Sequence, residues 1–400
     1  MTKSKLSIFI PHASDFLTNH QPHGDGLAAY GFVSRLAERG HTVHVAAPEI
    51  ALCGTQSTNL RVHPIKTFFK STIPHRLEYM LRSRLLLNRL RRTEQIDVIH
   101  QLNPVNKGMS LAMVGSGLPV VLGVIVPRWP DDAEAVRLSH WQRCKDAIKH
   151  WVKNRLLTLQ QWQASALLLA TPAARASLHR AEEVEHKIVY IPLGVDAERF
   201  TPAESEPDEL NILFLANLWR RKGIFTLLEA FAQVAKRFSN CRLTIAGDGG
   251  ERAEVERIVQ AAPHCAQITL LGAVTRAEVP ELLRRATMYC LPSYGEPFAN
   301  SVLEAMACGK PIVLTAAGGI QEMMPDDGGR KVSPRDAQAL AAALIELLES
   351  AQLRAEMSRN NRRTVENVYS WERVIDRLEQ VYESLIAREL PQTMRSIQIS

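Results

Sequence analysis

Residues 289–313 read YCLPSYGEPFANSVLEAMACGKPIV, and the rest of the chain is best interpreted outward from this stretch. An apolar run starts at Tyr289 and is broken by Pro292, Gly295 and Pro297, which are residues typical of turns. A second apolar run closes the stretch. The pattern predicts a buried strand, a turn, a short helix and another strand.

The predicted helix begins between Phe298 and Ser301 and stops at Gly309. Asn300 and Ser301 carry side-chain oxygens that suit a helix N-cap. Apolar residues four positions apart press one face of the helix onto a sheet, which leaves Asn300 and Glu304 together on another, polar face.

This helix start favours an anionic ligand. A helix N-terminus has free backbone N–H groups and the positive end of a dipole, so Phe298, Ala299 and Asn300 suit a phosphate. Glu296 lies just before the helix and Glu304 within it, and ionised carboxylates accept hydrogen bonds from sugar hydroxyls. Phosphate and sugar together describe a nucleotide-sugar. The alternative is two surface glutamates on an ordinary α/β helix.

The composition is that of an ordinary soluble globular protein, with 46% hydrophobic and 22% charged residues in a chain of 400. Such a length predicts two or three domains. The N-terminal apolar run is too short for a signal peptide, and no run is long enough to span a membrane, so we expect a cytoplasmic protein. The 6 cysteines are scattered without a C-x-x-C pair, which favours reduced thiols over disulfides or zinc.

Positive charge is concentrated in the first half of the chain. Residues 1–200 contain 25 Lys and Arg against 16 Asp and Glu, a net of +9, whereas residues 201–400 contain 23 against 26, a net of −3. Basic and apolar residues alternate in 67–92 and again, with tryptophans, in 135–163, which is consistent with contact to an anionic membrane surface. The alternative is long helices whose apolar residues pack on the sheet. Nucleic-acid binding fits poorly, because the second half is acidic and no such motif occurs.

Apolar strands alternate with amphipathic helices in both halves, as in βαβ units and parallel sheets. Ligands of such sheets bind at the carboxyl ends of strands. Four loops are therefore candidates for ligand binding: the turn within residues 289–313 and the loops 217–223, 247–250 and 318–322. In the first half, Gly24 and Gly26 precede a helix predicted from Leu27 and would let the backbone approach a phosphate.

The 217–223 loop contains adjacent Arg221 and Lys222 before a helix predicted over Ile224–Phe238. A guanidinium and an ammonium beside a helix N-terminus suit a diphosphate. A solvated charge cluster is the alternative interpretation.

Taken together, these loops resemble those of the retaining glycosyltransferases of family 4, which have the glycosyltransferase B-type fold. The match is close over about residues 190–375 and holds only in outline before them. The matching segments are Ile191–Asp196, Arg221-Lys222-Gly223, Ala246-Gly247-Asp248-Gly249, Glu296-Pro297-Phe298, Leu303–Ala307 with Gly309 and Pro311, and Gly318-Gly319 with Glu322.

The resemblance implies two doubly wound parallel-sheet (Rossmann-like) domains that face a cleft. Residues 1–192, joined by the C-terminal helix 370–390, would bind the acceptor, and residues 193–369 would bind the nucleotide-sugar. The expected reaction transfers a sugar from a nucleotide-diphosphate donor to a hydroxyl of a glycan, a lipid-linked acceptor or a polysaccharide or lipopolysaccharide precursor. We expect a cytoplasmic enzyme, with a peripheral position on the inner face of the membrane as the further interpretation.

The resemblance also implies residue roles. Glu296 would act on the transferred sugar, and Glu304 would bind the ribose. Arg221 and Lys222 would hold the diphosphate, with Gly247 and the backbone of Phe298, Ala299 and Asn300 completing the donor site. No metal and no other cofactor is expected, because cationic side chains and helix dipoles would neutralise the leaving diphosphate.

Two departures from the family pattern support a second hypothesis. Ala216-Asn217-Leu218 stands where the family commonly has Gly-Arg-Leu, and Gly123-Val124-Ile125 stands where a histidine is frequent. The protein would then be a catalytically degenerate member that binds a nucleotide-sugar or a partner. An NAD-dependent dehydrogenase is not supported, because no G-x-G-x-x-G follows the first strand.

Overall fold

The structure, a computed structural model, describes residues 5–21, 23–69, 72–103, 105, 108–127, 140–207 and 209–387. These residues form two compact units. Unit 1 is drawn from Met1–Val126, Asp131–Gly194 and Val374–Ile397, and unit 2 chiefly from Val195–Arg373.

Unit 1 is built around parallel strands and three helices. Its strands are β1 (Ser7–Ile10), β2 (Phe16–Thr18), β3 (Thr42–Ala47), β4 (Glu49–Ala51), β5 (Leu60–Pro64), β6 (Val98–Gln101), β7 (Val120–Ile125), β8 (Ala166–Leu169) and β9 (Ile188–Tyr190). Its helices are α1 (Gly24–Glu38), α2 (Thr72–Leu90) and α3 (His140–Gln163).

The main sheet of unit 1 has the order β5-β3-β1-β6-β7-β8-β9, and every described pairing in it is parallel. Strands β1, β6 and β8 are buried along nearly their whole length, as expected for a parallel sheet covered on both faces, and β6 carries two polar residues, His100 and Gln101. The short strands β2 and β4 pair separately.

Helix α1 begins earlier than the sequence predicted. It starts at Gly24 rather than Leu27, because the His23 side chain caps it by accepting a hydrogen bond from the Gly26 amide at 3.0 Å. Gly24 and Gly26 therefore lie in the first helical turn and not in a preceding loop. A Cβ at Gly26 would overlap the carbonyl oxygen of Phe16, so this glycine is required for packing.

Unit 2 repeats the alternation of strand and helix. Its strands are β10 (Asn211–Leu215), β11 (Arg242–Ala246), β12 (Ile268–Gly272), β13 (Met288–Leu291), β14 (Ile312–Thr315) and β15 (Gly329–Val332). Its helices are α4 (Ile224–Arg237), α5 (Arg252–Ala261), α6 (Val279–Arg285), α7 (Asn300–Ala307), α8 (Ala337–Glu349) and α9 (Ala351–Thr364).

The sheet of unit 2 has the parallel order β12-β11-β10-β13-β14-β15, which is that of a Rossmann fold. The strand order reverses between β10 and β13. Both sheets are thus doubly wound and parallel, which confirms the predicted fold class.

A π-helical turn, Val365–Tyr369, connects α9 to the last helix, α10 (Trp371–Ile386). From Val374 onward α10 belongs to unit 1, where its buried Glu379 pairs with Arg39 and His41 at 3.0 Å each. The Tyr382 hydroxyl lies 2.6 Å from His100 Nδ1.

Among the described residues, Cys53, Cys241, Cys265, Cys290 and Cys308 are free thiols, and the Cys144 side chain lies outside the description. Within the described part of the chain, no helix has the length and apolar character needed to cross a bilayer.

Candidate functional site

The candidate site lies at the carboxyl edge of the unit 2 sheet. The loop 217–223 follows β10 and the loop 292–299 follows β13, so the two flank the point where the strand order reverses. In open α/β sheets this switch point is where ligands bind. The topology therefore brings together two of the loops that the sequence singled out.

Glycines allow these loops to touch. At Gly223, with φ +76°, a Cβ would overlap the Pro292 carbonyl. At Gly318, with φ +71°, it would overlap the Glu296 carbonyl, to which the Ile320 amide also donates a hydrogen bond at 3.2 Å. The loops after β10, β13 and β14 thus form one contiguous surface around Glu296.

An ion pair between Lys222 and Glu296 occupies the centre of this surface. Lys222 Nζ contacts Glu296 Oε2, and the two side chains are only 15% and 4% exposed. The Ser293 hydroxyl lies 3.4 Å from the same carboxylate oxygen. Burial raises the pKa of Glu296 above its ordinary value, and the positive charge of Lys222 opposes that rise. Lys222 therefore favours the charged form of this carboxylate.

Arg221 is fixed next to this pair through its backbone. Its carbonyl accepts hydrogen bonds from the Tyr294 amide at 2.8 Å and from the Ser293 hydroxyl at 3.1 Å. The side chain lies on the exposed side of the loop. The Arg221 backbone is thus fixed beside Lys222, and the role of the two cations in binding a diphosphate stays a prediction.

Arg220 takes a different position. Its guanidinium stacks over the Phe225 ring at 4.7 Å and pairs with Glu251 at 3.5 Å. Arg220, the first of the three cations in this loop, therefore has partners of its own within unit 2.

Glu304 is buried, as is Glu296, which argues against the alternative that the two are surface glutamates on an ordinary helix. Its side chain is 8% exposed and pairs with Arg276 at 3.1 Å. Burial raises the pKa of Glu304, and the Arg276 charge opposes the rise. In turn, the Arg276 carbonyl accepts a hydrogen bond from Arg199. Two buried carboxylates, each with a cationic partner, therefore flank the start of α7.

Arg276 was missed from the sequence. It follows β12, at the same sheet edge as the other loops, and this position was the available signal. Nothing in the local pattern connected it to a glutamate on a later helix.

The N-terminus of α7 differs in detail from the prediction. Ala299 is the N-cap residue and contributes no side-chain cap, so Asn300 and Ser301 do not cap the helix. The Ser301 hydroxyl instead hydrogen-bonds to that of Tyr289 at 2.8 Å. The first amides of a helix lack intrahelical acceptors, and Asn300 is the first residue of α7. Anion binding by Phe298, Ala299 and Asn300 stays a prediction.

The remaining predicted residues are glycines. Gly247 follows β11, and its amide donates to the Gly272 carbonyl at 2.7 Å. A Cβ there would overlap the Ala216 carbonyl, so Gly247 permits close approach of two loops. Gly24 and Gly26 lie at the start of α1 in unit 1.

Two protein-family models match this chain. The model described as glycosyl transferases group 1 matches residues 196–364, which include the whole candidate site. The model described as Glycosyltransferase Family 4 matches residues 26–199. The chain belongs to glycosyltransferase family 4. The recognition made from the sequence is confirmed, and the protein is a glycosyltransferase of this type.

Relatives of known activity support this assignment. The transferase is 27% identical over 345 residues to an MMP alpha-(1→4)-mannosyltransferase of Mycolicibacterium hassiacum, covering 83% of this chain and 80% of the relative. It is 35% identical over 205 residues to a phosphatidyl-myo-inositol mannosyltransferase of Mycolicibacterium smegmatis, covering 49% of this chain and 52% of the relative. The second alignment thus spans about half of that relative's length.

Solved structures share the fold of the transferase. A glycosyltransferase from Rickettsia africae superposes with a TM-score of 0.73 at 17% identity, covering 96% of this chain and 100% of that one. HepE from Anabaena, solved in complex with UDP, has a TM-score of 0.73 at 18% identity and covers 95% and 100%. These matches agree with two Rossmann-like units of the B-type fold.

Proposed function

We propose that this family 4 enzyme is a retaining, metal-independent glycosyltransferase that moves a sugar from a nucleotide-diphosphate donor to an acceptor hydroxyl. The observation that carries the proposal is the buried pair of Lys222 and Glu296 at the switch point of the unit 2 sheet. A carboxylate for sugar hydroxyls and an ammonium for phosphate lie here in one place.

Unit 2 binds the donor in this proposal. Arg221 and Lys222 hold the diphosphate, assisted by the amides at the start of α7, and Glu304 accepts hydrogen bonds from the ribose hydroxyls. The complex of HepE with UDP, which shares this fold, is consistent with a nucleotide ligand. Gly247 allows the loop after β11 to lie close to the loop after β10.

The donor changes the partners of Glu296. Lys222 is paired with Glu296 in the structure, and a diphosphate offers Lys222 more negative charge than one carboxylate does. As Lys222 shifts to the phosphate, Glu296 becomes available for hydroxyls of the transferred sugar. This exchange couples diphosphate binding to sugar recognition.

The chemical step breaks the bond between the anomeric carbon and the diphosphate oxygen and forms a bond to the acceptor oxygen on the same face. The acceptor proton passes to the departing diphosphate, so no protein nucleophile is required. Arg221, Lys222 and the α7 dipole stabilise the charge that develops on the leaving group.

The acceptor class is also part of the proposal. Unit 1, with Gly24 and Gly26 at the start of α1, would bind the hydroxyl of a glycan or of a lipid-linked acceptor. The relatives named above include an enzyme whose name specifies a phosphatidylinositol acceptor. A cytoplasmic position at the membrane surface, through residues 67–92 and 135–163, would suit such an acceptor.

A panel of nucleotide-sugars tests the donor, because a ligand that binds the native state raises the melting temperature by mass action. The donor identified in this way is then incubated with glycan and glycolipid acceptors. The anomeric configuration of the product, read by NMR, must match that of the donor. Transfer must persist in EDTA, and an inverted product or loss of transfer in EDTA would each contradict one part of the proposal.

The degenerate-member hypothesis remains the second candidate. It is favoured by Asn217 at the family's first loop and by the engagement of Arg220 with Phe225 and Glu251. It predicts binding of a nucleotide-sugar with neither hydrolysis nor transfer.

A further inference from the structure

Helix α2 of unit 1 has two apolar faces, and only one of them is used in the fold. On the inner face, Tyr79, Leu87 and Leu90 are buried, and the Tyr79 hydroxyl donates to the Pro11 carbonyl at 3.1 Å. The sequence left open whether the apolar residues of this helix pack on the sheet. The structure shows that this set does.

The outer face is a continuous apolar stripe. Ile73, Leu77, Leu81 and Leu85 recur every four residues and are 57–69% exposed. A helix rises about 1.5 Å per residue, so the stripe is roughly 18 Å long. Soluble monomers rarely expose contiguous apolar surface of this kind, and a large exposed patch marks an interaction site.

Two phenylalanines extend the stripe at the N-terminal end of α2. Phe68 is 83% exposed and Phe69 is 50% exposed. The Glu78 carboxylate accepts hydrogen bonds from both of their amides, at 2.8 and 3.0 Å, and from Arg82 Nε at 2.8 Å. Because Glu78 ties the Phe68-Phe69 turn to α2, the two exposed rings are held in position beside the helix.

The surroundings of the stripe are strongly basic. Residues 66–92 contain 8 Lys and Arg and a single acid, Glu78, whose carboxylate is already bonded as described. Beside the stripe lies a groove of about 550 Å³ between the end of β5 and α2. Lys66 and Arg89 give it positive charge, next to the apolar Val62 and Leu85, and Arg82, which pairs with Glu78, also lines it.

We propose that this face of unit 1 docks on an anionic lipid bilayer, with the stripe and the Phe68-Phe69 turn in the interfacial region and the groove receiving lipid phosphates. Apolar residues in a line, flanked by cations, match an interface in which acyl chains lie below anionic headgroups. A second copy of this chain fits less well, because a symmetric contact would bring the two basic surrounds together. The docking function is additional to sugar transfer and holds whichever acceptor the enzyme uses.

The docking surface is assigned to α2 rather than to helix α3. Its exposed Trp162 donates its indole N–H to Glu183 at 3.1 Å, so that ring already has a partner within unit 1. The proposal therefore rests on α2 and the turn before it.

Co-sedimentation of the full chain with vesicles tests the proposal, using phosphatidylcholine alone or with 30 mol% phosphatidylglycerol. The first variant is Leu77→Glu/Leu81→Glu, and its matched control is Leu271→Glu, an exposed leucine of unit 2 that is 42% accessible. Both substituted leucines are about 60% exposed, so the fold is retained. We expect at least a ten-fold loss of binding in the first variant and no change in the control.

The second variant tests the charges. Lys66→Gln/Arg89→Gln should weaken binding to anionic vesicles roughly 25-fold, since each cation near such a surface contributes about five-fold. Its control, Arg257→Gln/Arg285→Gln, removes exposed arginines of unit 2 and should bind as the wild type does. Binding should also fall between 0.05 and 0.5 M salt, at about the ionic strengths where screening becomes strong.

Three outcomes would overturn the proposal: no binding to anionic vesicles, equal binding to neutral ones, or equal loss in the controls. Sedimentation velocity supplies a further check, because a wild-type dimer abolished by Leu77→Glu/Leu81→Glu would assign the face to a second copy. Donor-induced stabilisation, measured in the same variants, must persist. Its absence from every form would refute the proposed function without bearing on docking.

Discussion

Removing Lys222 provides the most informative perturbation of the site, because it leaves Glu296 buried without its cation. Glu296 is 4% exposed and Lys222 is 15% exposed, so solvent replaces little of the lost interaction. Breaking a buried pair costs about 3–5 kcal/mol, and the nearby Ser293 hydroxyl reduces this to roughly 2–3 kcal/mol for Lys222→Met at pH 8. For a unit of this size, the melting temperature should fall by roughly 4–12 °C.

The loss should depend on pH in a defined direction. Burial raises the folded-state pKa of Glu296 above its ordinary value of 4.5, and the change Lys222→Met raises it further. A carboxyl group with a raised folded-state pKa binds its proton more tightly in the folded protein than in the unfolded chain. The destabilisation that it causes is therefore absent below the unfolded-state pKa and grows as pH rises toward the folded-state pKa. The difference between wild type and variant should therefore shrink to about 1 kcal/mol or less at pH 5.

Scanning calorimetry at pH 5, 6.5 and 8 measures the stability difference between wild type and Lys222→Met. Arg257→Gln is the surface control and should stay within about 0.5 kcal/mol of wild type. The double variant Lys222→Met/Glu296→Gln should recover most of the lost stability, because no buried charge remains. The reasoning fails if Lys222→Met costs the same at every pH and the second substitution restores nothing.

Further changes test other contacts. Arg276→Ala should lower the melting temperature of the donor-free protein, at a cost of roughly 1–2 kcal/mol after allowing for the partial exposure of the arginine, and Glu304→Gln in the same chain should restore it. Gly318→Ala should cost about 1–3 kcal/mol and weaken donor binding, because its Cβ would displace the loop that carries Glu296. Burial lowers the pKa of His100 to about 4. The free energy of unfolding, measured by calorimetry, should therefore be highest above the unfolded-state pKa of about 6.5 and should decrease by up to roughly 3 kcal/mol as pH falls to 4.

Each of these changes has a control. Gly54 shares the left-handed conformation of Gly318, with φ +76°, but a Cβ there meets nothing within 4 Å. Gly54→Ala should therefore leave donor binding intact, and equal effects of the two changes would refute the role of loop displacement. His100→Gln should flatten the acid dependence, and an unchanged pH profile would assign that dependence to other groups.

Much of the unit 2 sheet could be predicted from the sequence. The sequence pattern predicts strands over Arg242–Ala246 and Ile312–Thr315, and β11 and β14 have these bounds. The last helix was expected over 370–390, and α10 occupies Trp371–Ile386 of that range, with residues 388–390 outside the described part of the chain. Local pattern was sufficient wherever one element buries one clear face.

Short or polar strands could not be predicted in the same way. Strand β15 reads Gly-Arg-Lys-Val and has no apolar run, so its pairing with β14 stabilises it rather than its own composition. Strands β2 and β4 contain three residues each, too few for a period to be visible.

In the candidate site, too, local pattern predicted some features and missed those that depend on contacts between distant residues. Residue types and loop positions identified Lys222 and Glu296 separately, but these residues are 74 positions apart and no local pattern predicts their ion pair. The pairing of Glu304 with Arg276 was hidden for the same reason. The two faces of α2 are a third case, because an apolar residue on a basic helix has the same sequence signature whether it is buried or exposed.

The central claim is that Glu296 acts on the sugar of a nucleotide-diphosphate donor. The measurement that tests it most directly is the rate of nucleoside diphosphate release in the presence of acceptor, compared between wild type and Glu296→Gln with the donor that raises the melting temperature. We predict a fall of roughly 10²-fold or more in the variant while donor-induced stabilisation persists. Turnover near the wild-type rate in Glu296→Gln would contradict the account.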